Sequence, residues 1–136
     1  MNSKKVLGSE QVNLLMNAAR HEAKKNAWAA SIAVVDDGGH LLAFERLDGC
    51  APISAYIAIE KARSAALGRR ETASYEQMVN GGRLAFVTAP LLTSLEGGIP
   101  IEAQGQVIGA IGVSGVKPEQ DAQIARAGVS VVELFA

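Results

Sequence analysis

Apolar and polar positions follow two different periods along the chain, and where one gives way to the other an element begins or ends. Val12, Leu15, Met16, Ala19 and Ala23 recur at helical spacing, which places them on one stripe of an amphipathic helix that Ser9 can cap. Residues 30–35 form a compact run rich in β-branched side chains and residues 40–47 a second stretch, with Asp36-Asp37-Gly38-Gly39 between them to tolerate the positive φ of a tight turn. The two read as a β-hairpin. Beyond Asp48-Gly49-Cys50-Ala51-Pro52 a helix is predicted over 54–67, capped by Ser54 and closed by Gly68. Its apolar residues (Ile53, Tyr56, Ile57, Ile59, Ala62) spread around the axis, so it is expected to be covered on more than one side.

Arg69-Arg70-Glu71 reads as a solvated link, and Ser74 with Gln77 as a capping box for a brief helix ended by Asn80-Gly81-Gly82. Pro90 breaks any long element in the next stretch and leaves room for a strand over 92–95. Residues 99–103 and 106–113 form a second hairpin across Gln104-Gly105, and Pro118, Glu119 and Asp121 sit as the first turn of a closing helix prefers. Hairpins make an antiparallel sheet, so the fold class is α+β with helices flanking the sheet, not a doubly wound nucleotide fold. With no repeat or linker, residues 1–136 are read as a single domain.

Composition removes several function classes. Thirteen basic and 14 acidic residues give a net charge of −1, which offers no general attraction for nucleic acid or an anionic membrane surface. Aromatic residues are 4% of the chain, so the core must be built from Ala, Val, Ile and Leu, and Ala-rich helices also favour close contact between subunits; a homo-oligomer is expected. Cys50 is the sole cysteine, which rules out an intrachain disulfide and a cysteine-based zinc site. The basic amino end runs into Ser9-Glu10-Gln11 instead of an apolar stretch, so a cytoplasmic location is expected. No GxSxG, HExxH, Walker or dinucleotide glycine pattern is present.

Five segments, in order, resemble the motifs of the GlcG/HbpS-like family, which also includes the carboxy-terminal domain of PduO: Val35-Asp36-Asp37-Gly38-Gly39-His40-Leu41-Leu42, Arg46-Leu47-Asp48-Gly49, Ile59-Glu60-Lys61-Ala62-Arg63, Gly97-Gly98-Ile99-Pro100-Ile101 and Gly109-Ala110-Ile111-Gly112-Val113-Ser114-Gly115. Gln120-Asp121 extends the match, which covers roughly 15–128. Gly115-Val116 stands where the family commonly has a glycine pair. The resemblance implies a profilin-like fold with a five-stranded antiparallel sheet, assembly into oligomers, and binding of haem or another tetrapyrrole or a place in small-molecule catabolism. It also makes His21 the candidate haem axial ligand, since only His21 and His40 are available. On the helical wheel His21 lies about 180° from the apolar stripe, as a surface histidine does, so a ligand role needs an external crevice or a neighbouring subunit.

The remaining candidates surround a small anionic ligand. Arg46 can grip a carboxylate with two hydrogen bonds, Lys61 can serve as cation, general acid or base, or amine nucleophile, and Asp48 ends the first hairpin beside them. Asp48–Lys61 or Asp36–Arg46 ion pairs that merely order the hairpin are the plain alternative. Glu96 is the first further acid/base candidate, followed by Glu60 and Glu102. Gly97 and Gly98, and Gly112, Ser114 and Gly115, present little side-chain cover, so their N–H groups can form an anion nest; close strand–helix packing explains the same glycines. Three functions stay open at this point: a haem or tetrapyrrole binder, a cofactor-free enzyme acting on a small unsaturated or imine-bearing carboxylate, and a structural accessory subunit.

Overall fold

A computed structural model describes residues 1–135. The chain runs α1 (Ser9–Lys25), β1 (Ser31–Asp36), β2 (Leu41–Arg46), α2 (Ile53–Gly68), α3 (Thr72–Asn80), a 3-10 turn (Leu84–Thr88), β3 (Gly98–Ala103), β4 (Gln106–Ser114), α4 (Pro118–Val129) and a second 3-10 turn (Ser130–Leu134). Two antiparallel hairpins join through β1 and β4 into one sheet of order β2-β1-β4-β3. The α+β class and antiparallel sheet agree with the sequence reading, with one correction: among the described residues the sheet has four strands, not five. The strand expected over 92–95 does not form. Leu91 takes a left-handed φ of 57°, and the Thr93 N–H donates to the Ser64 hydroxyl of α2 at 2.7 Å. Its backbone is thereby tied to a helix instead of a strand edge.

β1 is central and covered on both faces, which accounts for its unbroken apolar run. One face carries Ile32, Val34, Ile99, Ile101, Ile111 and Val113 against Leu15, Met16 and Ala19 of α1 and Ile124 and Ala125 of α4. The opposite face is packed with small side chains, Ala33, Val35 and Ala110 meeting Ala58, Ala62, Ala65 and Ala66 of α2. A Cβ on Gly112 would collide with the Ala58 carbonyl oxygen and the Ala62 nitrogen, and one on Gly98 with the Lys61 carbonyl oxygen. Backbone therefore touches backbone along this seam, and alanines in α2 are what allow it.

Helix ends differ in detail from the expected caps. Gly8, not Ser9, precedes α1, and its N–H donates to the Gln11 side chain at 3.0 Å. Ser54 lies inside the first turn of α2 and donates to the Ala51 carbonyl, while the left-handed residue closing that helix is Arg69, one past Gly68. Gly68 is instead where the Tyr75 hydroxyl approaches the helix. Ser74 lies within α3, donating to the Glu71 carbonyl at 2.7 Å. Among the described residues no helix is long and apolar enough to cross a membrane.

Candidate functional site

Strand register brings several of the motif residues to one end of the sheet. Arg46 pairs with Ser31 and Ser31 with Ser114, so the three stand in a row across β2, β1 and β4, about 10 Å from first to last at ordinary strand spacing. Beneath the row, Ser31 Oγ lies 2.8 Å from Ser54 Oγ, which lies 2.8 Å from the buried Cys50 Sγ. Gly115, at φ +133°, passes so close to Cys50 and to the Ala29 carbonyl that no side chain fits there. Beyond the Arg46 end opens a cleft of about 350 Å³ whose wall includes Lys24, Trp28, Glu45, Arg46 and Asp48. Arg46 and Asp48 are exposed in it, while Glu45 accepts a hydrogen bond from Arg20.

Lys61 points elsewhere. Its side chain is only 4% exposed, and its ammonium donates to the Val113 carbonyl at 2.9 Å and to Asp121 Oδ2 at 3.1 Å. The other Asp121 oxygen accepts the Val116 N–H at 3.1 Å. Lys61 comes from the helix on one face of the sheet and Asp121 from the helix on the other, so the pair clamps the two layers together. Burial pushes the Asp121 carboxyl above its ordinary range, more than the Lys61 charge and the Val116 N–H bring it down. The ion pairs considered from sequence do not form: Lys61 takes Asp121 rather than Asp48, and Asp36 takes His40 at 3.0 Å rather than Arg46.

The structure therefore does not bring Arg46 and Lys61 to one opening. Of the glycine N–H groups expected to form a nest, that of Gly98 is already engaged. Gly98 donates to Thr72 Oγ1 at 2.8 Å, Gly97 offers its carbonyl to the Val113 N–H at 3.0 Å, and Gly112 is interior to β4. Ser114 is buried at the end of β4. Glu96 is half-buried, with its own N–H facing Glu76 Oε1 at 3.4 Å. Glu60 pairs with Arg63 at 2.7 Å, and Glu102 is exposed. His21 is exposed on the outer face of α1, as the wheel requires, three residues before Lys24 and so its neighbour along the helix. Among the described residues no group of three His, Cys, Asp or Glu side chains could hold a metal ion.

Sequence reasoning missed Asp121 as the partner of Lys61, and Lys24 and Trp28 as neighbours of Arg46. Asp121 had a signal, since it stands in a matching motif and an acidic residue in a helix first turn is a ready hydrogen-bond acceptor. Lys24 and Trp28 had none.

Residues 7–130 match the family model described as haem degrading protein HbpS-like. Protein GlcG of Escherichia coli K12 is 63% identical over 114 residues, covering 84% of this chain and 85% of that protein. A double mutant of HbpS from Streptomyces reticuli superimposes with a TM-score of 0.87 at 31% identity, over 96% of this chain and 90% of the other. A PduOC:haem complex superimposes with a TM-score of 0.83 over 93% and 94% of the two chains; at 24% identity that likeness concerns the fold alone. The motif order, the α+β architecture and these likenesses agree, and the chain belongs to the HbpS-like family.

Proposed function

We propose that this chain is a small-ligand-binding domain whose ligand is haem or another tetrapyrrole. The observation that carries the reading is that an exposed histidine and an exposed arginine flank the same end of the molecule: His21 adjoins Lys24 on α1, and Lys24 and Arg46 share one cleft. A haem needs an iron ligand and cations for its propionates, and this neighbourhood has both. His21 would hold the iron, and Arg46 would hold a propionate with two charge-assisted hydrogen bonds. His40 stands at the turn of the first hairpin, at the opposite end of β2 from Arg46, so it does not share a ligand with that cation. When bound, the haem would supply an iron centre; what the chain itself contributes is orientation and charge. Kinship with HbpS and the shared fold of the PduOC:haem complex support the same reading. Titration with hemin tests it, through a Soret shift that saturates at fixed stoichiometry in the parent and is lost in His21→Ala.

One observation favours a second reading, proton transfer on a small unsaturated carboxylate: a buried amine and a carboxyl that burial pushes above its ordinary range stand 3.1 Å apart at Lys61 and Asp121. Incubating small unsaturated carboxylates with the protein in D2O tests it. Deuterium entering a C–H position with the parent but not with Lys61→Met would support this reading, and no exchange with any of them would reject it.

A further inference from the structure

Most cations of this chain are already engaged. Lys4, Arg20, Lys25, Lys61, Arg63, Arg69 and Arg126 pair with carboxylates, and Arg70 and Arg83 lie over aromatic rings. Lys24 and Arg46 have no such partner among the described residues, and both line the cleft at the open end of the first hairpin. The sole tryptophan, Trp28, forms part of the same wall. Its position is fixed from both sides. The Trp28 N–H donates to the Ala23 carbonyl at 2.9 Å and the Ala27 N–H to the Lys24 carbonyl at 3.1 Å, with Ala27 in the left-handed conformation at φ 57°. This pair of bonds closes the carboxyl end of α1 and sets the chain direction that presents the ring. The half-buried indole also packs on the main core.

Of the two acids in the wall, Glu45 is neutralised by Arg20, which leaves Asp48 against two cations. The free charge of the cleft is thus positive, and the half-buried Trp28 side chain contributes to its wall. We infer that this cleft binds the carboxylate end of a flat, apolar-bodied anion, with Lys24 and Arg46 holding the carboxylate and Trp28 stacking on the body. Arg46 presents a planar fork that matches a carboxylate, Lys24 adds a mobile point charge, and Asp48 is placed to accept a hydrogen bond from a hydroxyl or N–H of the same ligand. The inference rests on the reading of this chain as an anionic-ligand binder and assigns that ligand's acidic end to residues outside the matching motifs, Lys24 and Trp28, together with Arg46.

Because there is one tryptophan, its indole N–H gives a single cross-peak in a 15N-labelled sample and reports on the cleft without further assignment. Two probes suffice: 1-naphthoate, and diamagnetic gallium protoporphyrin IX, which carries propionates. The expected result is a saturable movement of the Trp28 peak with 1-naphthoate, weakened about tenfold or more in Lys24→Met/Arg46→Met. The neutral 1-naphthalenemethanol should bind parent and variant alike. Both substituted side chains are exposed, so the far-UV circular dichroism should not change. Gallium protoporphyrin that binds without moving the Trp28 peak would overturn the cleft assignment while leaving tetrapyrrole binding intact. Naphthoate binding at Trp28 with no porphyrin bound would uphold the cleft and reject the tetrapyrrole. No movement with either probe, or equal affinity in the double variant, would overturn the inference.

Discussion

Replacing Lys61 by Met keeps the buried stem of the side chain and removes only the charge, leaving Asp121 and the Val113 carbonyl without their donor. Both side chains of this pair are 4% exposed, so water does not take the place of the ammonium. Breaking a buried pair from one side costs about 3–5 kcal/mol. The carboxylate has an escape, however, since it can take up a proton. That costs about 1.4 kcal/mol for each pH unit above its ordinary pKa near 3.9, hence about 4 kcal/mol at pH 7 and about 1.5 kcal/mol at pH 5. Proton uptake sets a ceiling on the penalty, and the ceiling falls as the solution is acidified. Burial already pushes this carboxyl upward in the parent, so the direction is the same. Lys61→Met is predicted to lose about 3–4 kcal/mol at pH 7 and no more than about 1.5 kcal/mol at pH 5, which a domain of ordinary stability survives. Urea denaturation of parent and variant at both pH values, with unchanged m, measures it. Replacing both partners with apolar residues, Lys61→Met/Asp121→Leu, should return much of the loss. A loss below about 1 kcal/mol at pH 7, or equal losses at the two pH values, would refute the reasoning.

Three further outcomes follow from the packing, the turn and the surface. Gly112→Ala forces a methyl into the backbone of α2 and should cost about 3 kcal/mol or prevent folding, whereas Gly105→Ala, with nothing within 4 Å but φ at +76°, should cost about 1–2 kcal/mol; thermal melts of the two separate crowding from backbone strain. In the first hairpin, burial raises the Asp36 carboxyl, but the N–H groups of His40 and Gly38, each 2.9 Å away, outweigh it and hold the carboxyl below its ordinary value. A lowered folded value means that this stabilisation is present above about pH 4 and is lost as pH falls through the folded value, so Asp36→Ala should cost about 1–2 kcal/mol at pH 7 and progressively less below pH 4 in denaturant titrations. Light scattering at micromolar concentration should give a multiple of the single-chain mass, given the exposed Leu41, Leu42 and Phe44 of edge strand β2; the mass of one chain would reject the homo-oligomer.

What the sequence reveals is what neighbouring residues decide. The α1 stripe, both hairpins and the acidic first turn of α4 are local patterns, and the structure has them within a residue or two. The five family-like motifs carry the fold further than periodicity alone, because several in register constrain one another. Local reasoning fails where a distant group competes. The 92–95 stretch has a strand's composition, but a serine 29 positions earlier claims the Thr93 N–H. Lys61 looks like a ligand-facing cation until Asp121, 60 positions later, is folded against it. Gly98 and Gly112, two of the glycines suited to an anion nest, instead bring α2 down onto β3 and β4. The cleft beyond Arg46 depends on the end of α1 meeting the end of β2, two segments that no sequence spacing connects.

The most direct test is a visible-spectrum titration of the purified protein and of His21→Ala with hemin. Ligand binding at the His21–Arg46 end predicts a Soret shift that saturates at fixed stoichiometry in the parent and is abolished in His21→Ala, with the far-UV circular dichroism of the two identical because His21 is exposed. A parent spectrum that never saturates, or saturating binding that is the same in both proteins, would contradict it.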